Sequence, residues 1–151
     1  MPTRAKTLEF PVDVRWAGGR LTQAWVPGKP VLGVATPPEF DSGVEGVWSP
    51  EDLLVGAVAT CFTVTLVAVA ERRGVPLRRL EVSGTGNVSQ RSDGRFGFTE
   101  IELVVALGTD PGFEEEARTT AEAAEQGCLV AVSLDTPVHL ELDVQTAAVA
   151  A

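Results

Sequence analysis

The sequence predicts an α+β fold of order ββ(β)αββαβ, in which an antiparallel sheet packs against two main helices. Strand-forming runs stand in groups, and two helical patterns separate them, which is typical of an α+β protein. The chain contains no internal repeat, low-complexity segment or dividing linker. We therefore expect residues 1–151 to form a single domain, long enough to bury a sizeable core.

Composition and charge narrow the class of protein. Hydrophobic residues make up 44% of the chain and charged residues 22%, which is a globular composition. The formal net charge of −9 repels phosphate backbones and anionic headgroups. We expect no nucleic-acid partner and no membrane partner.

The first third of the chain reads as strands and a loop. The stretch "LEFPVDVRWAGGRLTQAWVPG" gives two strand-like runs around Gly18 and Gly19, and this glycine pair supplies the positive φ that a tight hairpin turn needs. "PVLGVAT" predicts a short third strand. "PPEFDSGVEG" predicts a loop because of its proline, glycine and acidic content.

A long helix is predicted between Ser49 and Gly74. Ser49 is a good N-cap, Pro50 suits the first helical position, and Glu51 and Asp52 favour the positive end of the helix dipole. Two arginines followed by Gly74 are a typical helix end. This helix is apolar nearly all round, so we expect a second copy of the chain to help cover it.

The same helix contains the best candidate for a membrane span, residues 53–70. Its length reaches the lower limit of about 18 residues for such a span, but three threonines and a glycine dilute it and charges flank it closely. We predict a buried core helix instead. The polar, proline-containing N-terminus is unlike a signal peptide, and two cysteines 67 residues apart suit a reducing cytoplasm.

The second half predicts a hairpin, a helix and a last strand. "LRRLEVSGTGNVSQ" and "RFGFTEIELVVALG" are strands joined by a turn at "RSDG", and "DPGFEEEARTTAEAAEQG" is a helix. Cys128 then falls at or just past the end of this helix. The final strand, "TPVHLELDVQ", alternates its apolar residues on one face.

Cys61 and Cys128 are the two cysteines of the chain, and they are either inert core thiols or one active site. A reactive thiolate needs a positive neighbour, a hydrogen-bond donor or a helix N-terminus. Cys61 lies ten residues into the predicted helix, and its apolar neighbours would raise its pKa. The residues alone therefore favour a buried structural cysteine, unless a cation arrives from elsewhere in the fold.

Glu51 stands about 15 Å before Cys61 on a straight helix. It could influence the thiol through a helix break near Gly56 or through a long cation that bridges the two side chains. Because a glycine within a helix costs about 1 kcal/mol relative to alanine, Gly56 is a reasonable place for such a break.

Three stretches carry a resemblance to a known family: "WAGGRLTQ", "SPEDLLVGAVATCF" and "CLVAVSLDTPVHLELDV". In this order and spacing, the chain resembles the osmotically inducible protein C and organic hydroperoxide resistance protein (OsmC/Ohr) family over essentially its whole length. Leu129 and Val130 stand where the organic hydroperoxide branch usually has a proline and an aromatic residue. The sequence is therefore closer to the OsmC-like branch.

The resemblance implies a thiol peroxidase, a detoxifying enzyme of the oxidative stress response, that works as an intertwined homodimer with active sites at the subunit interface. Carried over, Cys61 attacks the organic hydroperoxide and becomes a sulfenic acid, and Cys128 condenses with it to a disulfide that an external dithiol, such as a lipoyl group, reduces. Arg20 stabilises the thiolate, and Glu51 orients Arg20. No cofactor or metal is implied.

Apolar lining from Val58, Phe62 and the "PPEF" loop is expected to favour organic peroxides over hydrogen peroxide. The alternative is a non-catalytic OsmC-like member that senses redox state or holds a small apolar ligand. His139, the single histidine, is predicted to point away from the apolar face of the last strand, and with two distant thiols it makes a poor metal site.

Overall fold

The computed structural model describes residues 6–147 in two compact units, one formed by the chain up to Leu53 and the other by the chain from Leu54 onward. Strands and helices are mixed, with a three-stranded sheet in each unit. The predicted α+β class is confirmed, although the strands form two sheets rather than one. The assignment of residues 1–151 to a single domain stays a prediction.

The first unit is an antiparallel meander whose first hairpin turns at the glycine pair. Gly18 and Gly19 have φ values of 110° and 53°, as the hairpin prediction required. The Trp16 indole N–H donates to the Gly19 carbonyl at 3.0 Å, which ties down the turn that presents Arg20. The strands are β1 (Asp13–Gly18), β2 (Leu21–Trp25) and β3 (Leu32–Ala35).

Helix α1 spans Pro50–Arg73, as predicted. The buried Ser49 caps it, because its Oγ accepts from the Asp52 N–H at 3.0 Å and its own N–H donates to the Asp52 carboxylate at 2.8 Å. This reciprocal pair is a capping box. Gly74, with a φ of 69°, ends the helix in the left-handed region.

The helix continues without a break through Gly56. The kink that would have brought Glu51 towards the thiol is therefore absent from α1. Any influence of the Glu51 carboxylate on Cys61 needs the other route considered above, a long cation.

The second unit contains a sheet of order β4-β5-β6, in which β4 and β5 form a long antiparallel hairpin. Strand β6 pairs parallel to β5, so the expectation of antiparallel pairing is wrong for this pair. The chain crosses from β5 to β6 through helices, which returns it to the starting end of the sheet. The remaining elements are β4 (Leu77–Gln90), β5 (Phe96–Thr109), α2 (Glu114–Gly127), α3 (Leu129–Val132) and β6 (Val138–Thr146).

Side chains from α1, the sheet and α2 form the core of the second unit. Helix α1 is apolar and long enough to cross a membrane, with a mean hydropathy of 2.4 over its best 18 residues. One side of it is nevertheless packed inside the protein, as expected for a core helix. Fully buried residues of this core include Val58, Phe62, Leu66, Ile101, Val105, Leu107, Ala117, Ala121 and Ala124.

Two glycines on either side of this packing predict opposite stability effects. A Cβ on Gly86 would overlap the Phe98 ring and come within 2.7 Å of Val55 Cγ2, whereas a Cβ on Gly56 meets nothing within 4 Å. We expect Gly86→Ala to lower the free energy of unfolding by about 1–3 kcal/mol. Gly56→Ala should raise it by up to about 1 kcal/mol. Urea unfolding of both variants checks this, and a destabilised Gly56→Ala would contradict it.

Candidate active site

Cys61 lies in the middle of α1 and is partly buried, whereas Cys128 is 1% exposed at the junction of α2 and α3. Cys128 caps the end of α2 and leaves the helical conformation, with a ψ of 102°. Its predicted place just past a helix end is thus confirmed. The junction sets the Cys128 side chain against the apolar core.

The structure brings the two thiols together within the second unit. Cys128 Sγ lies 4.0 Å from the carbonyl oxygen of Val58, which is one helical turn before Cys61. The Cys61 and Cys128 side chains are in hydrogen-bonding contact. Both cysteines are free thiols, so the contact holds them in the reduced form without a disulfide.

The pKa of the Cys61 thiol is lowered. Burial by itself raises this pKa, but a larger set of donors favours the thiolate: the Val130 N–H, the Cys128 thiol, the Thr65 hydroxyl and the Leu129 N–H. The expectation that apolar helix neighbours would raise the Cys61 pKa is therefore wrong. The donors outweigh burial because hydrogen bonds to a charged group are stronger than those to a neutral one.

The pKa of Cys128 is raised, first by burial and then by its hydrogen bond to Cys61 and the charge that Cys61 carries. A lowered and a raised pKa in one contact separate the roles of the two sulfurs. Cys61 is the thiolate and Cys128 is the neutral thiol that donates to it. Of this pair, the geometry makes Cys61 the nucleophile.

The backbone donors were not found from the sequence. They belong to α3, a four-residue helix directly after Cys128, and its amides reach a cysteine almost 70 positions earlier in the chain. Thr65 was also missed, although a hydroxyl four residues after Cys61 on a helix lies on the same face. That spacing was the one readable indication of a neutral donor.

Arg20 occupies the exposed turn of the first hairpin, where its carbonyl accepts from the Thr36 N–H at 3.3 Å. Its guanidinium makes no ion pair with residues 6–147. Arg20 and Glu51 belong to the first unit, and the two cysteines belong to the second.

Glu51 does not cap α1, because Asp52 and Ser49 form the capping box between them. The Glu51 atom Oε2 is buried and finds no hydrogen-bond partner among the described residues. A buried carboxylate oxygen without a partner costs free energy unless a donor arrives from outside. Stabilisation of the helix dipole alone does not account for it.

His139 lies on the exposed face of β6, with Nε2 3.6 Å from the Glu100 carboxylate. Its predicted orientation away from the apolar face is confirmed. Within residues 6–147, no group of three or more histidine, cysteine, aspartate or glutamate side chains could hold a metal ion.

The predicted apolar lining needs a correction. Val58 and Phe62 are sealed in the core, with 0% and 1% exposure, so neither can line an open substrate site. The exposed apolar residues nearest to the cysteines in sequence are instead Val64, Leu129 and Val132, each about two-thirds exposed at 65%, 67% and 66%.

Comparisons with known proteins agree with this architecture. The chain is 28% identical over 139 residues to the uncharacterized protein YmaD of Bacillus subtilis, a match that covers 89% of this chain and 91% of that protein. An OsmC-like protein of unknown function from Vibrio cholerae is similar in structure, with a TM-score of 0.82, 17% identity, and coverage of 92% of this chain and 100% of that one.

Two solved structures described as organic hydroperoxide resistance proteins are also similar. The one from Elizabethkingia anophelis has a TM-score of 0.76 at 21% identity and covers 95% of this chain and 100% of its own. The one from Bacillus subtilis, OhrB, has a TM-score of 0.65 at 23% identity and covers 89% and 96%. The family model described as OsmC-like protein matches residues 43–143. The chain therefore belongs to the OsmC-like protein family.

Proposed function

We propose that this protein is a thiol peroxidase that reduces organic hydroperoxides through Cys61 and Cys128. The observation that carries the proposal is the contact between a thiolate-favouring Cys61 and a protonated, buried Cys128. A lowered pKa increases the fraction of the reactive thiolate at neutral pH. A second thiol in contact can then trap the oxidised sulfur before further oxidation.

The first step is attack of the Cys61 thiolate on the distal oxygen of ROOH. The S–O bond forms while the O–O bond breaks, which yields Cys61 sulfenic acid and the alkoxide RO⁻, and the alkoxide takes up a proton to become ROH. In the second step, Cys128 attacks the sulfenic sulfur. A Cys61–Cys128 disulfide forms, and the sulfenic oxygen leaves as water. An external dithiol, such as a lipoyl group, then reduces the disulfide.

Arg20 is proposed to stabilise the thiolate and Glu51 to hold Arg20. In support, the buried Glu51 Oε2 calls for a donor, and the exposed Arg20 guanidinium is free of ion pairs with the described residues. Carboxylate and guanidinium form strong charge-assisted hydrogen bonds. An arginine is also long enough to bridge a carboxylate and a thiolate.

A homodimer is proposed because apolar surface is exposed in both units. In the first, the alternate residues Leu8, Phe10, Val12, Val14 and Trp16 are 60–82% exposed. In the second, Val64 and Val67 lie on the uncovered side of α1. Contiguous exposed apolar surface of this kind marks an interaction site. A second copy that covers it would agree with the apolar character of α1.

Organic hydroperoxides are the proposed substrates, and the cytoplasm is the proposed location. The organic group of ROOH would contact the exposed apolar side chains that follow the cysteines, Val64, Leu129 and Val132. Hydrogen peroxide has no such group, so it gains nothing from this surface. Two free thiols persist most readily in a reducing compartment.

The test is the loss of free thiols after one equivalent of cumene hydroperoxide is added to the reduced protein. We expect rapid loss of two thiols per chain, and a reaction with hydrogen peroxide at least about tenfold slower, since tenfold corresponds to only about 1.4 kcal/mol of differential contact. Thiols that remain intact for an hour would favour the non-catalytic alternative, a redox sensor or a binder of a small apolar ligand.

A further inference from the structure

Thr65 differs from the other threonines in the middle of α1. Thr60 and Thr63 each donate to the carbonyl four residues earlier, at 2.7 Å to Gly56 and 2.7 Å to Ala59. This is the usual arrangement for threonine inside a helix. For Thr65 the equivalent acceptor is the carbonyl of Cys61, and no such bond occurs among the hydrogen bonds of residues 6–147. Its hydroxyl contacts the Cys61 thiol instead.

Packing supports this orientation. The Thr65 methyl lies against Gly127, with Cγ2 3.7 Å from the position a Cβ would take on that glycine. A β-branched side chain in a helix has few χ1 choices, so contact of the methyl with Gly127 leaves the hydroxyl on the remaining side. Gly127 directly precedes Cys128, and Thr65 therefore lies where the segment that carries Cys128 meets α1.

The chemistry of a hydroxyl gives this contact a specific value. A threonine hydroxyl does not ionise in the range where thiols titrate, so it remains a donor at every working pH. A donor to the charged form of an acid stabilises that form. A neutral donor also avoids the cost of burying a second charge beside an apolar core.

We propose that Thr65 is a hydrogen-bond donor to the Cys61 sulfur that favours its thiolate and fixes its orientation beside Cys128. The inference rests on the proposed function in one respect, since it treats Cys61 as the reacting sulfur. It names a residue outside the cysteine, arginine and glutamate set.

The experiment measures the rate of Cys61 alkylation by iodoacetamide against pH, followed on the Cys61 peptide by mass spectrometry. Thr65→Val removes the hydroxyl and keeps the shape. Because the lost donor favoured the thiolate, the Cys61 pKa should rise, and alkylation below the wild-type pKa should slow about tenfold. Above both pKa values the rates should converge, since Cys61 is then fully ionised in each protein.

Two further variants serve as controls. Thr63→Val removes a hydroxyl that donates to the Ala59 carbonyl instead of a sulfur, and its pH profile should match that of the wild type within about twofold. Thr65→Ser restores a hydroxyl without the methyl and should recover most of the thiolate fraction at low pH. The assay contains no peroxide, so its outcome does not depend on whether the protein proves to be a peroxidase.

An unchanged pH profile in Thr65→Val would overturn the proposal, because the α3 amides would then suffice. A slowing of equal size at all pH values would also overturn it, since that is the mark of altered access. If circular dichroism shows that Thr65→Val does not fold, Thr65→Ser and Thr65→Ala are compared instead. The same Cys61 pKa in these two variants would refute the role of the hydroxyl.

Discussion

Cys61→Ser is expected to abolish the reaction with organic hydroperoxides, whereas Cys128→Ser is expected to stop it after the first step. A serine hydroxyl ionises far above neutral pH, so the donors that favour the Cys61 thiolate cannot produce an alkoxide nucleophile. We expect the rate of peroxide consumption by Cys61→Ser to fall by about a thousandfold or more.

The second variant keeps the nucleophile and removes the group that resolves it. Cys128→Ser should form Cys61 sulfenic acid, which dimedone traps as a single adduct on the Cys61 peptide. Wild-type protein treated in the same way should give the intramolecular disulfide and little adduct. With excess peroxide, Cys61 in Cys128→Ser should continue to sulfinic acid, because no neighbouring thiol intercepts it.

Mass spectrometry of the intact chains separates these states, since disulfide formation, the dimedone adduct and sulfinic acid change the mass differently. Wild-type kinetics in Cys61→Ser would disprove the assignment of the nucleophile. A dimedone adduct on wild-type protein as large as that on Cys128→Ser would show that Cys128 does not resolve. Folding of both variants is checked by circular dichroism, because Cys128 belongs to the packed core.

The elements of the fold were predictable where local chemistry decides them. Ser49, Pro50 and Gly74 mark the ends of α1 through capping and positive φ, and the glycine pair marks the first turn. These features depend on a few adjacent residues and can be read without the rest of the fold. The parallel pairing of β5 with β6 depends on the path of the crossover, which no local residue encodes.

The site divides in the same way. The resemblance predicted that Cys61 and Cys128 belong together, and the structure places them in contact. The direction of the Cys61 pKa was not predictable, because it depends on the amides of Leu129 and Val130 in a helix of only four residues. So short a helix leaves no periodicity to read.

The exposed apolar stripe of the first unit predicts the second large effect, on assembly. Val14 and Trp16 share one face of β1, where they pair with Ala24 and Thr22 and are 61% and 73% exposed. If a second copy covers this face, Val14→Asp places an unpaired carboxylate in a dry interface. Burial of an unpaired charge costs several kcal/mol, so we expect the dimer dissociation constant to rise by at least about a hundredfold.

The matched control lies on the other face of the same hairpin. Gln23 pairs with Arg15 across the strands and accepts its hydrogen bond at 2.6 Å. Gln23→Glu adds the same single negative charge as Val14→Asp and keeps the acceptor for Arg15. It should leave the dissociation constant within about threefold of wild type, since exposed charge pairs contribute only about 0.2–1 kcal/mol. Sedimentation equilibrium of the two variants and the wild type measures both effects.

The same variant links assembly to chemistry. Val14 lies in the hairpin whose turn presents Arg20, and Arg20 is the cation proposed to stabilise the Cys61 thiolate. If the dimer completes the site, Val14→Asp should lose peroxidase rate in step with dimer content and recover it at high protein concentration. Because Val14 is already exposed in the single chain, its substitution should leave the unfolding free energy of the monomer within about 0.5 kcal/mol. A dimer that persists in Val14→Asp would mean that this face is not the interface. Full activity in a monomeric Val14→Asp would mean that each chain carries a complete site, with the α3 amides and Thr65 as sufficient donors to Cys61.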